Sequence, residues 1–301
     1  MMKLTNKYGL PQIIVNVVER PTYSKGNANI SATQLLNSPK IVALTKLHEE
    51  ELEQDVSQML WSIMGSAMHG LLEHGKEENS IVEQRLHAEV NGWLLSGAVD
   101  LQEVHGDGID IFDYKMTSVW SAMNDKPEWE QQLNIYAWLI EHNKKVPIKS
   151  INIVAFLRDW SERESKTKEN YPPAAMVKIP IILWTYEERE KYVYDRVAKH
   201  MEAEFALATG GSLADCTSKE MWEKPTVWAV MKQGNTRANY VMPTVHEATL
   251  ALEELQTNKP KDKFYIEERK GERTRCNSFC QVSKWCQQYQ DYLKEQENGG
   301  K

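Results

Sequence analysis

The sequence predicts an α/β domain, a mixed central sheet flanked by helices, followed by a mostly helical C-terminal appendage. Three observations carry this. Ile109 to Lys115 (IDIFDYK) alternates apolar and polar residues at the strand period of two, directly after the turn signal Gly106-Asp107-Gly108. Several stretches on either side show the 3.6-residue stripe of amphipathic helices instead. All four cysteines lie at or beyond residue 216, and three of them fall within eleven residues, which sets the last part of the chain apart.

The elements follow in order. Residues 1–30 are polar and mixed and read as an arm. Helices lie between Ser31 and Gly75, with Ser31 or Thr33 capping the first and Gly75 ending the last. Short alternating stretches run from Ile81 to Glu103, with Gly92 and Gly97 at turns or close approaches, so residues 81–115 read as two or three antiparallel strands. A helix follows, with Asp125 as its cap, Pro127 in its first turn and Asn143 as its stop. Its apolar stripe is Trp129, Leu133, Tyr136, Ala137 and Ile140. Ile151–Leu157 and Val177–Leu183 read as strands, and the charged stretch 161–173 between them as a loop. Thr185-Tyr-Glu-Glu188 is a capping box opening a long helix that ends near Gly210. From Ser212 the chain reads as a smaller subdomain. Trp228–Val241 forms a hairpin turning at Gln233-Gly234-Asn235, and Thr244-Val-His-Glu247 opens a short helix. The expected organisation is an arm (1–30), a core (31–210) and a C-terminal cysteine-cluster subdomain (211–301).

Bulk properties narrow the class. Of 301 residues, 41% are apolar and 26% charged, ordinary values for a globular protein. No apolar run approaches the roughly 18 residues that span a bilayer, so no membrane partner is expected. The N-terminus lacks the apolar stretch of a signal peptide, which points to a cytoplasmic protein. The net charge of −7 does not favour a polyanionic partner. Lys259–Arg275 departs from this, with seven Lys/Arg against four Asp/Glu, a local net of +3. In a reducing compartment, clustered thiols point to metal rather than disulfides.

The chemistry concentrates in the predicted strands. Alternation puts Asp113 and Lys115 on one face, on either side of Tyr114. A carboxylate that can bind a divalent cation, beside a lysine that can orient or deprotonate water, suits phosphodiester hydrolysis. Asp100 precedes Asp113 by thirteen residues with a turn between them, so a hairpin brings the two carboxylates together. Such a pair repels itself unless a cation joins it, which implies Mg²⁺ or Mn²⁺. His69, in Gly65-Ser-Ala-Met-His69, sits on a predicted helix, where a lone histidine is more often a core or surface residue than a ligand. Gln132 and Tyr136 are four residues apart on the next helix and share a face. Asp110, on the same strand as Asp113, lacks a lysine two residues on and reads as structural.

The ordered set of His69, Asp100, Asp113-x-Lys115 and Gln132-x-x-x-Tyr136 resembles the RecB-like branch of the PD-(D/E)XK nucleases. That branch includes phage recombination exonucleases and CRISPR-associated iron–sulfur nucleases. The resemblance implies a restriction-endonuclease-like core in which His69, Asp100, Asp113 and the carbonyl of Tyr114 hold the metal. Lys115 then serves the attacking water, and Gln132 and Tyr136 support the site and contact DNA. It further implies an exonuclease acting on single-stranded or duplex DNA ends, in phage or mobile-element recombination or repair in a bacterial host cell. A strand-annealing protein would be a natural partner. An endonuclease, or a catalytically silent DNA-binding adaptor, stays as the alternative. Cys276-x3-Cys280-x5-Cys286 resembles the closing triplet of the iron–sulfur members, whose 4Fe–4S cluster takes a fourth cysteine from far upstream. Cys216 is the candidate here, since Ser38-Pro39 stands where those relatives carry Cys-Pro. A four-cysteine Zn²⁺ site and four free thiols stay open. Arg269, Lys270, Arg273 and Arg275 flank the cluster and can track a DNA backbone or form a solvated charged segment.

Overall fold

The computed structural model describes residues 3–19 and 26–298. The chain forms two compact units that divide after Leu213. The first begins with strand β1 (Lys3–Thr5), helix α1 (Gln12–Glu19), β2 (Ile30–Ser31), α2 (Ala32–Leu36), α3 (Pro39–Leu47), β3 (Glu53–Asp55) and α4 (Leu60–Leu72). The expected N-terminal arm is partly tied down, because β1 pairs in parallel with β3. The Asp55 carboxylate accepts from the Thr5 hydroxyl and the Lys7 N–H, both at 2.8 Å. Residues 20–25 of that arm lie outside the described residues. Ser31 caps α2 in a capping box with Gln34.

Next come the three antiparallel strands that alternation predicts: β4 (Ser80–Val90), β5 (Trp93–His105) and β6 (Gly108–Thr117). Asn91 and Gly92, at φ 52° and 83°, form the two-residue turn between β4 and β5. Positive φ at both positions matches the twist of a hairpin, which is why Asn-Gly suits it. The unit finishes with α5 (Val119–Met123), α6 (Pro127–Lys144), β7 (Ile148–Leu157), α7 (Glu162–Thr167), β8 (Met176–Ile181) and α8 (Tyr186–Thr209). Both halves of the Thr185–Glu188 capping box are present, and Gly210 ends α8 at φ 70°. Two expectations fail locally. The cap position of α6 is Lys126 and not Asp125, with no side-chain cap bond, because Pro127 itself supplies the fixed φ of a first turn. The stretch 161–173 contains a short helix, α7, because the Ser161 hydroxyl caps it.

The main sheet has six strands in the order β2-β5-β6-β7-β8, with β4 along the other edge of β5. It is mixed: β6–β7 and β2–β5 are parallel, the remaining pairs antiparallel. β2 and β6 share one edge of β5. The β5–β6 ladder runs from His105–Gly108 to Leu101–Phe112 and stops there, and β2 takes up the same edge at Leu95 and Ser96. The sheet therefore forks beside residues 97–100. Helix α6 packs against the sheet and also against α8. Its nine consecutive residues Gln132–Ile140 are all buried, wider than a one-sided stripe. They pack with Ile109, Ile111, Ile151, Ile153, Val193 and Val197 in one core.

The second unit is of mixed composition rather than mostly helical. β10 (Val227–Lys232) lies between β11 (Tyr240–Met242) and β12 (Phe264–Arg269), and β9 (Glu223–Lys224) pairs with β13 (Glu272–Arg273). Helices α9 (Val245–Asn258), α10 (Thr274–Ser278) and α11 (Gln287–Asn298) complete it. The charged stretch 259–275 hides β12, whose Phe264 and Ile266 pack on Val230, Ala248 and Leu255 of a small separate core.

Candidate metal-dependent active site

The site lies at the fork. Continuing the β5–β6 register by one step sets Asp100 opposite Asp113, but the ladder has just ended. The Asp100 side chain bridges the gap, with Oδ2 accepting the Tyr114 N–H at 2.8 Å. Both carboxylates are buried, at 7% and 1% exposure. Burial pushes the Asp100 carboxyl up to about 7, and the neighbouring Asp113 adds to this, against the opposing pull of His69, the Tyr114 N–H and Lys115. Asp113 Oδ2 is shielded from solvent and receives no aligned hydrogen bond. The Lys115 ammonium lies 2.6 Å from it, as a charge contact out of line for a hydrogen bond.

α4 brings His69 to the fork. Its Nδ1 is 2.9 Å from Glu83 Oε1 and 3.7 Å from Asp100 Oδ1. The ring stands edge-on to Tyr114, centroids 5.9 Å apart. The hydrogen bond to Glu83 raises the His69 pKa, with burial opposing it and Asp100 adding to the rise. Glu83 is the residue the sequence reading missed. The β4–β5 ladder pairs Val82 with Leu101 and Gln84 with Val99, so Glu83 occupies the place opposite Asp100. It does so at φ 48°, an uncommon backbone for glutamate. Such a conformation costs on the order of 1–3 kcal/mol, and strain of this kind clusters at functional sites. A signal was available. The Asn91-Gly92 turn fixes the register of β4 on β5, and that register leads from Asp100 back to Glu83.

One nitrogen of His69 and one oxygen each of Glu83 and Asp100 lie within 4.8 Å of one another. Together with the buried Asp113 carboxylate, which faces the Lys115 ammonium at 2.6 Å, this oxygen-rich donor set fits Mg²⁺ or Mn²⁺. Gln132 and Tyr136 are joined to each other, Nε2 to hydroxyl at 2.8 Å, in the core beneath β5. Tyr136 and Leu139 press on Gly97, where a Cβ would stand 2.6 Å from Leu139 Cδ1 and 3.1 Å from Tyr136 Cε1. This glycine lets α6 approach the strand that carries Asp100. Asp110 is bound by His105 at 2.9 Å and by the Ser150 hydroxyl at 2.6 Å, at the opposite end of the β5–β6 hairpin.

In the second unit the four cysteines carry no disulfide. Burial pushes the Cys276 thiol up to about 11, and Cys280, Cys216 and Cys286 add to the rise. Gln288, just after Cys286, clamps Cys216 by bonding both its N–H and its carbonyl at 2.9 Å. Three of the flanking arginines are engaged locally. Arg269 pairs with Glu267 at 2.8 Å. Arg273 pairs with Glu223 at 3.4 Å and lies over Tyr292. Arg275 donates to the Glu220 carbonyl at 3.3 Å and lies over Trp222.

The forked mixed sheet thus brings two buried carboxylates, a lysine and a helix-borne histidine together. The chain belongs to the PD-(D/E)XK nuclease superfamily, whose family model matches residues 42–287. A solved structure titled "Crystal structure of SSO0001" is similar at 16% identity and a TM-score of 0.44, covering 62% of this chain and 84% of its own. No curated protein matched the chain. Among the described residues, no helix is long and apolar enough to cross a membrane.

Proposed function

We propose that this chain is a divalent-metal-dependent DNA exonuclease of the RecB-like branch, hydrolysing phosphodiester bonds at DNA ends in phage or mobile-element recombination or repair. The observation that carries the reading is Asp113 Oδ2, a buried carboxylate oxygen without an aligned donor, opposite a second buried carboxylate and next to a lysine. Asp100, Asp113, His69 and Glu83 would hold the cation. Bound there, it would lower the pKa of a water and offset charge developing on the scissile phosphate. Lys115, beside Asp113, would hydrogen-bond the attacking water and lend positive charge to the phosphate. Tyr114 fixes Asp100 through its N–H, while Gln132 and Tyr136 brace the strand from below. A strand-annealing protein is the natural partner.

The test uses end-labelled linear and closed circular DNA, with Mg²⁺, Mn²⁺ or EDTA. Metal-dependent loss of linear DNA alone is expected. Cutting of circles would make the protein an endonuclease. No cleavage with either metal would leave the silent DNA-binding adaptor.

For the cysteines, the reading is a 4Fe–4S cluster held by Cys216, Cys276, Cys280 and Cys286. It is supported by the Cys276-x3-Cys280-x5-Cys286 spacing and by the Gln288 clamp, which ties Cys216 to the segment just after Cys286. Metal and sulfide analysis of protein purified without oxygen tests it. Iron with equal acid-labile sulfide is expected, whereas a single zinc without sulfide would replace the cluster with a tetrahedral structural site.

A further inference from the structure

Helix α4, which carries His69, has no buried residue although most of its side chains are apolar. Trp61 is 50% exposed, with Leu60 and Met64 exposed beside it. The Arg158 guanidinium lies 4.4 Å from the Trp61 ring centroid. Arg158 follows the end of β7, and its N–H donates to the Thr117 carbonyl at 3.0 Å. Thr117 is the last residue of β6, two beyond Lys115. From there the chain turns directly into α5, whose start is held by the Asp159 carboxylate accepting the Val119 N–H at 2.7 Å. The next residue, Trp120, is 63% exposed, and Lys126 Nζ stands 4.6 Å from its ring centroid. Two largely exposed tryptophans, each with a cation on one face, are thus tied to the end of the strand that bears Lys115.

A surface indole with a cation over one face offers the other face to an aromatic plane, while the cation meets a phosphate. Unpaired bases have free faces for this stacking. In a duplex the faces are used within the helix, except at the ends. Building on the nuclease reading, we propose that Trp61–Arg158 and Trp120–Lys126 form a stacking platform that binds single-stranded DNA next to the active site, so that the preferred substrate is a single-stranded or frayed end.

Binding of labelled 12-nucleotide oligo(dT) and of a blunt duplex is measured by fluorescence anisotropy in EDTA, where no metal-dependent cleavage intervenes. The full chain is compared with Trp61→Ala and Trp120→Ala. The expected result is tighter binding of oligo(dT) than of the duplex. Each substitution should weaken oligo(dT) binding roughly 5- to 150-fold, the effect of losing one stacked base, and leave duplex binding within about twofold. Variants that melt like the parent yet bind oligo(dT) as well as it does would overturn the platform. So would equal losses on both DNAs. If an alanine variant does not fold, Trp120→Leu, which keeps apolar bulk without the aromatic plane, must show the same loss. Failure of the nuclease reading is seen separately, as absence of Mg²⁺- or Mn²⁺-dependent cleavage by the parent chain.

Discussion

The Asp100→Asn substitution should make the metal-free protein more stable while removing its affinity for metal. Asn keeps an oxygen to accept the Tyr114 N–H that Asp100 now holds at 2.8 Å. What it removes is a buried negative charge. The Asp100 carboxyl stands at about 7 in the folded protein against an ordinary 3.8. An acid whose pKa is raised by folding opposes folding wherever the unfolded chain would be ionised. The cost is near zero at pH 4, grows as pH rises, and is complete above pH 7. At ~1.4 kcal/mol for each pH unit between the two values, it reaches at most roughly 4 kcal/mol at pH 8, because His69 titrates against the same group. Urea unfolding in EDTA from pH 4 to 8 reads it as the stability of the variant minus that of the parent. That difference should climb by a few kcal/mol over this range. Added Mg²⁺ should stabilise the parent more at pH 8 than at pH 5 and leave the variant unmoved. A difference that stays flat with pH would refute the account of a charge-repelling pocket held ready for a cation.

Other substitutions probe neighbouring links. Lys115→Ala should leave folding intact and lower metal-dependent DNA cleavage by at least about 100-fold, the usual scale for losing a group that handles a proton; cleavage at the parent rate would remove Lys115 from the site. Glu83→Gln should bring the His69 pKa down, since the hydrogen bond that the His69 ring donates to the Glu83 carboxylate is the chief cause of its elevation; an NMR titration of the His69 ring that does not move would contradict this. The same substitution should weaken Mn²⁺ binding in calorimetry, and unchanged affinity would exclude Glu83 as a ligand. Gly97→Ala would set a methyl 2.6 Å from Leu139 Cδ1 and should cost about 1–3 kcal/mol in urea unfolding, as overpacking of a core does.

Some of this protein was legible from local pattern. Alternation in IDIFDYK, the turn at Gly106–Gly108 and the Thr185 capping box are read from neighbouring residues, because strand period, turn conformation and helix capping are local properties. They yield β6, its hairpin with β5 and the start of α8, and with them the approach of Asp100 and Asp113. Glu83 was accessible in principle through the Asn91-Gly92 register, but nothing in the stretch IVEQRLH marks one acid as special. Its left-handed backbone breaks the β4–β5 ladder opposite Asp100, and its bond to His69 exists only once α4 brings that ring to the sheet. The nine-residue buried run of α6 was also a tertiary outcome. Its sequence shows one apolar stripe, yet both the sheet and α8 cover it. β12 hid within a charged stretch because its burial depends on β10 and α9. The sequence by itself determined most of the elements and the order of the chemical groups. The tertiary structure decided where β5 and β6 part. Strand divergence sets how far apart the backbones of Asp100 and Asp113 stand and how deeply both carboxylates are buried, and from these come the raised Asp100 pKa and the buried carboxylate pair that suit the site to a cation.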